Sequence, residues 1–362
     1  MSNGGLYHSI LFYQMKPLIK YPGGKEKEIK IIREYMPCTI NDYYEPFVGG
    51  GAVFWELGPG KQNYINDISS DLINFYVCVK NRNKSFYYEI IKWNESFKEA
   101  SITTLKLLPK IRQAYFSDSR DLSFIKFDEM YAGIRKLISQ KFDHIDRKAE
   151  KNDGIIDAFE DNIEAAFKQA VYCKARDEFN AHKRFDGKRA ALYMIMRQYG
   201  FSGMFRYNAA GDFNIPYGGI PYNNKFLDDR INQIKSKETR ELMNRTTISS
   251  VDFEEFLDNS NLQNDDFIFL DPPYDTTFTA YDGNEFSRND QKRLSNYLIK
   301  KCPAKWMVVI KATDFIRDLY PVKKKCANGD QINIIEFGKR YDVCMKGRNE
   351  QRCEHLLIRN YQ

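Results

Sequence analysis

Asp271-Pro272-Pro273-Tyr274 places an acidic acceptor, a rigid backbone carbonyl and a flat aromatic ring within four consecutive residues. Two successive prolines fix the backbone and keep it out of a helix. Such a set suits a planar base with an exocyclic amino group. The ring of Tyr274 stacks on the base, while the Asp271 carboxylate and the Pro272 carbonyl accept the amino hydrogens. Four residues alone are also compatible with an ordinary strand-ending turn. A reaction at that amino group needs a second ligand position from elsewhere in the chain.

The glycine triplet Gly49-Gly50-Gly51, entered through Glu45-Pro46-Phe47-Val48, is the place to look. Glycines after a strand mark a tight turn where a ligand can approach the backbone. The pattern is neither GxGxxG nor a P-loop, because no Lys-Ser or Lys-Thr follows. Acidic residues accompany it instead: Glu45 before the turn and Asp67 at the end of Asn63-Tyr64-Ile65-Asn66-Asp67. An acidic residue at a second strand end is the usual partner of ribose hydroxyls. Carboxylates beside a glycine turn without phosphate-binding features suit a nucleoside with a cationic tail, and S-adenosylmethionine is such a ligand. The same residues also read as a plain turn, with Asp67 capping a helix near Ser69 and Ser70. Lys20-Tyr21-Pro22-Gly23-Gly24-Lys25 is a further compact turn, opening the amphipathic stretch Glu28 to Met36. A helix start there suits an anion such as the cofactor carboxylate. In isolation it is only a turn.

The elements that must position these residues are legible in outline. Asp266-Phe267-Ile268-Phe269-Leu270 is a short, apolar, β-prone run that ends at the proline loop, and ligands of open α/β sheets bind at that carboxyl edge. Tyr43 to Val48 and Asn63 to Asp67 read as strands, and Ala52 to Leu57 and Ser70 to Asn81 as helices. From about Ser96 to Asp186 the texture turns to long charged, amphipathic helices such as Phe159 to Phe179. Residues 197–222 are rich in Gly, Asn, Tyr and Pro, as in a hairpin or ordered loop. Strand-like runs return at Thr247-Ile248-Ser249, Trp306 to Ile310 and Ile332 to Phe337. The expected organisation is a discontinuous sheet domain, 1–95 with 246–362, interrupted by a helical and loop-rich insertion at 96–245.

Composition bounds the rest. The chain has 362 residues, 43% hydrophobic and 15% aromatic, with a formal charge of +6. That describes a folded protein with an ample core, and a mildly basic balance that fits a polyanionic partner and equally a solvated surface with some lysine excess. Its seven cysteines (Cys38, Cys78, Cys173, Cys302, Cys326, Cys344 and Cys353) form no CxxC pair. An odd number without that spacing implies neither a metal cluster nor a disulfide framework, and points to a reducing interior. Met1 to Gln14 carries no signal pattern, and no stretch is long and apolar enough to span a bilayer. A cytoplasmic protein with no membrane partner is expected.

Taken in order, Tyr21-Pro22-Gly23-Gly24-Lys25, Glu45 to Gly51, Asn66-Asp67-Ile68 and Asp271-Pro272-Pro273-Tyr274 closely resemble the motifs of Dam-type (D12 class, α-group) DNA adenine-N6 methyltransferases. Phe201-Ser202-Gly203-Met204-Phe205-Arg206-Tyr207-Asn208, continuing through Gly211 to Gly218, resembles the family's DNA-reading hairpin. Arg176 to Asn180 and the tail Glu354 to Tyr361 also fit. Two features depart from the pattern: the helical insertion of about Ser96 to Gln169 is longer, and Lys311-Ala312-Thr313 replaces the Ser-Asn common there.

The resemblance implies an α/β, Rossmann-like S-adenosylmethionine-dependent methyltransferase sheet, with an inserted helical target-recognition domain carrying a β-hairpin. It implies transfer of a methyl group to N6 of an adenine flipped out of double-stranded DNA, with Asp271, Pro272, Pro273 and Tyr274 as the catalytic loop. It assigns the cofactor to Tyr21, Gly23, Gly24 and Lys25, to Glu45, Pro46, Phe47, Gly49, Gly50 and Gly51, and to Asp67, Asp252, Phe253 and Asp271. In the hairpin, Arg206 is expected on a guanine edge, Met204 and Pro216 on a thymine methyl, and Ser202 and Asn208 bracing the DNA. Lys183, Arg184, Lys188, Arg189 and Arg197 are expected on phosphates. GATC is the first recognition sequence that the hairpin suggests. N4-cytosine methylation, glutamine-side-chain methylation and a catalytically inactive DNA-binding relative are the rivals. The resemblance leaves open whether the protein stands alone, guards a bacterial host against a cognate restriction endonuclease, or serves a phage. It is silent on oligomeric state.

Overall fold

The structure, a computed structural model, describes residues 15–21, 24–25, 28–58, 60–126, 129–274, 286–340 and 352–362. Contacts group the chain into two units, one of residues 1–18, 23–76 and 236–362, the other of residues 19–22 and 77–235.

The first unit is built on one sheet. Its described strands are β1 (Tyr43–Glu45), β2 (Asn63–Asn66), β3 (Thr246–Ser249), β4 (Phe267–Leu270), β5 (Lys305–Lys311), β6 (Asn333–Arg340) and β7 (Arg352–Arg359). Their order is β3-β2-β1-β4-β5-β7-β6. The first five are mutually parallel, whereas β7 runs antiparallel between β5 and β6. Every residue of β4 is buried, as are Trp306 to Ile310 of β5. Unbroken apolar runs are what a parallel sheet covered on both faces demands. Helix Arg288–Lys300 starts with a capping box between Ser287 and Asp290, and its Leu294 and Leu298 join the cluster around Trp306, Val308 and Ile310. This is the Rossmann-like architecture expected from the resemblance.

The chain order fixes where a ligand belongs. From β1 it steps outward through β2 to β3, and then returns to lay β4 on the other side of β1. Tyr43 and Tyr44 pair with Phe267 and Ile268. The order thus reverses between β1 and β4, and a crevice opens at their carboxyl ends. Both chemistry-bearing segments, Glu45 to Gly51 and Asp271 to Tyr274, leave the sheet there.

The second unit is helical. Its longest helix, Lys84–Tyr115, packs with Phe159–Ala181 and Gly187–Tyr199, and Ile134–Glu150 packs on Phe159–Ala181. The Asn83 side chain accepts from the Phe86 N–H and caps the long helix. A Cβ on Gly187 would lie 2.3 Å from the Asn83 Oδ1, so only glycine admits this approach of two helix starts. Sequence texture put the start of the insertion near residue 96, but Lys84–Tyr115 is one continuous element. Its Phe97 ring stacks on Tyr199 at 3.8 Å, which draws the whole helix into this unit. Among the described residues, no helix is long and apolar enough to cross a membrane.

Candidate active site

The cradle at the end of β1 is held by side chains rather than by sheet bonds alone. Asp67 bridges it: one carboxylate oxygen accepts from the Gly49 N–H at 3.0 Å and the other from the Ser69 N–H at 3.0 Å. Tyr76 donates its hydroxyl to the Gly49 carbonyl. Gly49 and Gly51 both adopt positive φ, and a Cβ on Gly51 would meet the Tyr76 hydroxyl oxygen at 2.7 Å. The backbone must therefore be glycine at this point. Pro46, Gly50 and Gly51 are buried, while Phe47 and Gly49 are half-buried.

Glu45 lies under this turn, 2% exposed, and accepts from the Tyr43 hydroxyl at 2.7 Å. Burial pushes its carboxyl well above the ordinary range. Asp271 and Asp67 add to the rise, against opposing hydrogen bonds from Tyr43 and the Phe54 N–H. The amides of Gly49 and Phe54 are thus already committed to the chain's own carboxyl oxygens. In dinucleotide-binding sheets, amides at this place receive a pyrophosphate. An arrangement with carboxyl oxygens in that place suits a ligand without phosphate.

Aromatic rings flank the turn. Phe47 lies 5.5 Å from Phe253 and 5.5 Å from Phe286, with the last pair edge to face. Asp252, expected near the cofactor with Phe253, caps helix Phe253–Asp258 through the Glu254 N–H. Its carboxylate also pairs with Arg293 at 2.7 Å, and Arg293 further holds Glu254 and Asp290.

Across the switch point, Lys25 grips the proline loop. Its ammonium, 2% exposed, is paired with the Asp271 carboxylate and donates to the Tyr274 hydroxyl at 2.8 Å. Gln291 donates to the Pro273 carbonyl, and the fully buried His355 packs edge-on against the Tyr274 ring at 5.6 Å. The loop is therefore bonded at Asp271 and Tyr274 to Lys25 and at Pro273 to Gln291, with His355 packed on its ring. Of the remaining cofactor assignments, Gly24 is exposed, Gly23 lies outside the described residues, and Tyr21 groups with the helical unit under the Arg197 guanidinium.

In the helical unit, residues 199–218 form the expected antiparallel excursion. Isolated bridges join Gly200 to Tyr217 and Tyr207 to Phe213. Its tip closes on Asn208, whose side-chain oxygen accepts from the N–H groups of Ala210 and Asp212. Phe205 and Phe213 anchor it against Phe179 and Tyr193. Asn180 bonds both the N–H and the carbonyl of Phe213. Ser202, Arg206, Asn208 and Pro216 are exposed, and Met204 is half-buried. Ser202 holds positive φ and donates its N–H to the Tyr222 hydroxyl.

The five cations assigned to phosphates divide. Lys183 and Arg184 are exposed, and Lys188 is half-buried against Glu178. Arg189 and Arg197 are corrections, since both are interior. Arg189 donates to the carbonyls of Phe179 and His182. Arg197, 1% exposed, donates to the Tyr193 hydroxyl and lies over the Phe205 ring at 4.3 Å. Arg197 also donates to the Gly203 carbonyl and so ties the hairpin to its helix, whereas Arg189 ties the end of helix Phe159–Ala181 to helix Gly187–Tyr199.

Comparison with known proteins settles the family. The model of the D12 class N6 adenine-specific DNA methyltransferases matches residues 21–334. The chain belongs to that family. It is 27% identical to the type II methyltransferase M.CviBI of Paramecium bursaria Chlorella virus NC1A, over 96% of this chain and all of that protein. It is 24% identical to the DNA adenine methylase of Vibrio cholerae, over 93% of this chain and 94% of the relative. With the DNA N-6-adenine-methyltransferase of Escherichia phage P1 it shares 27% identity over 84% of its own length and 31% of the larger protein. The chain is thus an adenine-specific DNA methyltransferase, with DNA as its substrate and a methyl donor as its cofactor.

Several residues that shape this methyltransferase's site escaped the sequence reading. Asn66 donates to the carbonyls of Pro46 and Val251 and accepts from the Val251 N–H, tying the loops after β1 and β3 together. Arg293, Phe286, Gln291 and His355 act likewise through partners far away in sequence. Asn66 and His355 stand inside quoted motifs, and for Asn66 an amide at a strand end is the signal.

Proposed function

We propose that the chain transfers the methyl group of S-adenosylmethionine to N6 of an adenine extruded from duplex DNA, within one short recognition sequence. The observation that supports this reading is the placement of the Asp271 loop and the Gly49–Gly51 cradle on the adjacent parallel strands β4 and β1, at the reversal of strand order. The cradle suits the donor. The Asp67 carboxylate is placed at the second strand end, where an acidic residue suits ribose hydroxyls. The rings of Phe47, Phe253 and Phe286 suit the face of an adenine. When bound, S-adenosylmethionine supplies an electrophilic methyl group on a sulfonium.

The chain's own residues answer the difficulty on the other reactant. An adenine amino nitrogen has its lone pair conjugated with the ring, and in a duplex the base is stacked and paired. Tyr274 stacks on the extruded base, and the Lys25–Tyr274 and His355–Tyr274 contacts hold its ring in place. The Asp271 carboxylate and the Pro272 carbonyl accept the two amino hydrogens and favour a pyramidal nitrogen. They also stabilise the positive charge that grows on nitrogen as the methyl arrives, so their bonds strengthen in the transition state. Lys25 contacts one oxygen of Asp271, and a carboxylate can accept several bonds. No covalent enzyme intermediate is required.

Arg206 at the exposed flank of the hairpin suits a guanine edge, and Lys183 and Arg184 suit phosphates. GATC is the first sequence to test, and a cognate endonuclease the first partner. The deciding experiment is methyl transfer from labelled S-adenosylmethionine to unmethylated genomic DNA, read by modification-resolved sequencing beside Asp271→Ala. N6-methyladenine at one motif, absent from the variant, is the expected result. Donor binding without DNA methylation would overturn it.

A further inference from the structure

The helix Lys84–Tyr115 buries Phe86, Ile90, Trp93 and Phe97 on one side. On the other it exposes four of the ten large hydrophobic side chains exposed among the described residues: Tyr88 at 67%, Ile91 at 36%, Ile102 at 45% and Leu105 at 70%. Single exposed apolar residues need no explanation, but several aligned on one face do. These four follow the three-four spacing of a coiled-coil seam, and Glu95 and Lys98 fill the two positions between them. The seam therefore reads Tyr88, Ile91, Glu95, Lys98, Ile102, Leu105.

That order is self-complementary when reversed. A two-fold axis at the level between Ser96 and Phe97 brings Tyr88 opposite Leu105, Ile91 opposite Ile102 and Glu95 opposite Lys98, each pair occurring twice. The charges are opposite where the seam is polar. Within its own chain Lys98 pairs with both Glu95 at 2.9 Å and Asp228 at 2.6 Å, and an ammonium has a third donor and a carboxylate further acceptor sites to share with the second copy.

We infer that this face is the contact between two copies of the chain, which pair as an antiparallel, two-fold-symmetric helix dimer. A two-fold interface requires one patch to complement itself, and this seam does so in shape and in charge. The occupant is a second copy rather than an unrelated helix, because an arbitrary partner has no reason to match a palindromic register. The seam spans six positions per copy, so the dimer is a weak one, with dissociation on the order of micromolar. The inference is independent of the reading of the catalytic site.

Sedimentation of the full chain across a concentration series tests it, with Ile91→Glu and Leu105→Glu as variants. Wild type is expected to pass from monomer to dimer, and each variant to weaken pairing by at least about tenfold. The melting temperature of Leu105→Glu at monomeric concentrations should be unchanged, since that side chain is already 70% exposed. A second measurement reads the register. Chains with Ile91→Cys should form a disulfide across the interface with chains carrying Ile102→Cys, mapped by mass spectrometry, and not with one another. A monomer at about 100 μM, pairing indifferent to both glutamates, or cross-links in another register would each overturn the proposal.

Discussion

The catalytic edge of the sheet and the hairpin of the helical unit handle polar groups in opposite ways. At the sheet edge nearly every charge is spoken for within the chain: Lys25 by Asp271, Glu45 by Tyr43, Asp67 by two backbone amides and Asp252 by Arg293. On the hairpin, Arg206 and Asn208 stay exposed on a loop whose tip is closed by one asparagine. A methyl-transfer site must hold its acceptors before substrate arrives, because reorganisation during the reaction is what slows it. A reading head must present its donors to bases that differ from site to site, and so keeps them in solvent. Substitutions should therefore damage activity and stability together at the sheet edge, and specificity alone on the hairpin.

The largest expected break is Asp271→Ala. Loss of the acceptor should lower methyl transfer by about 10³-fold or more. It also leaves the buried Lys25 without its carboxylate, so the melting temperature should fall in the same protein. Activity lost at unchanged stability would mean that the Lys25 pair contributes little to the fold. Next comes Arg197→Ala, which probes whether a cation in the helical unit can behave like those of the sheet edge. Its packing on Phe205 predicts a destabilisation of about 3 kcal/mol in denaturant unfolding. An unaltered midpoint with weaker DNA binding would return Arg197 to the phosphate contacts.

Gly51→Ala should cost about 1–3 kcal/mol, because it adds a Cβ at positive φ against Tyr76. Donor affinity, measured by calorimetry, should drop with it. Arg206→Ala sharpens the contrast: discrimination at one base pair should relax by about 1–3 kcal/mol in competition methylation, with no change in melting temperature. The smallest effect expected concerns pH. The folded state keeps Glu45 protonated to higher pH than the unfolded chain does, so folding takes up a proton. The associated stability is complete below the ordinary value of 4.5 and is lost as pH rises through the folded value. Glu45→Gln should remove that slope, and parallel melting curves for the two proteins across this range would contradict it.

Much of this division was legible in the residues. The apolar run Phe267 to Leu270 ending in two prolines, and the glycine triplet after Tyr43 to Val48, each mark a strand with a loop at its carboxyl end. A sequence cannot state that the two strands are neighbours, because that follows from pairing across more than two hundred residues. Separations of 41 and 185 residues likewise hide Arg293 from Asp252 and Asn66 from Val251. Arg189 and Arg197 were misread for a different reason, since a cation in isolation suggests solvent. The stretch Ala190 to Met196 is almost wholly apolar, and a helix apolar all round is a buried one. That pattern was the available signal, and it required the guanidinium to find its partners inside.

The placement of β7 has a consequence for how the protein is made. It follows β6 in the chain, yet it lies between β6 and β5. Until β7 docks, β6 has no strand to pair with, and the edge of β5 stays open. His355, the residue packed against Tyr274, arrives only with β7. Before β7 docks, the catalytic loop thus has an unfinished wall beside an adhesive strand edge during folding.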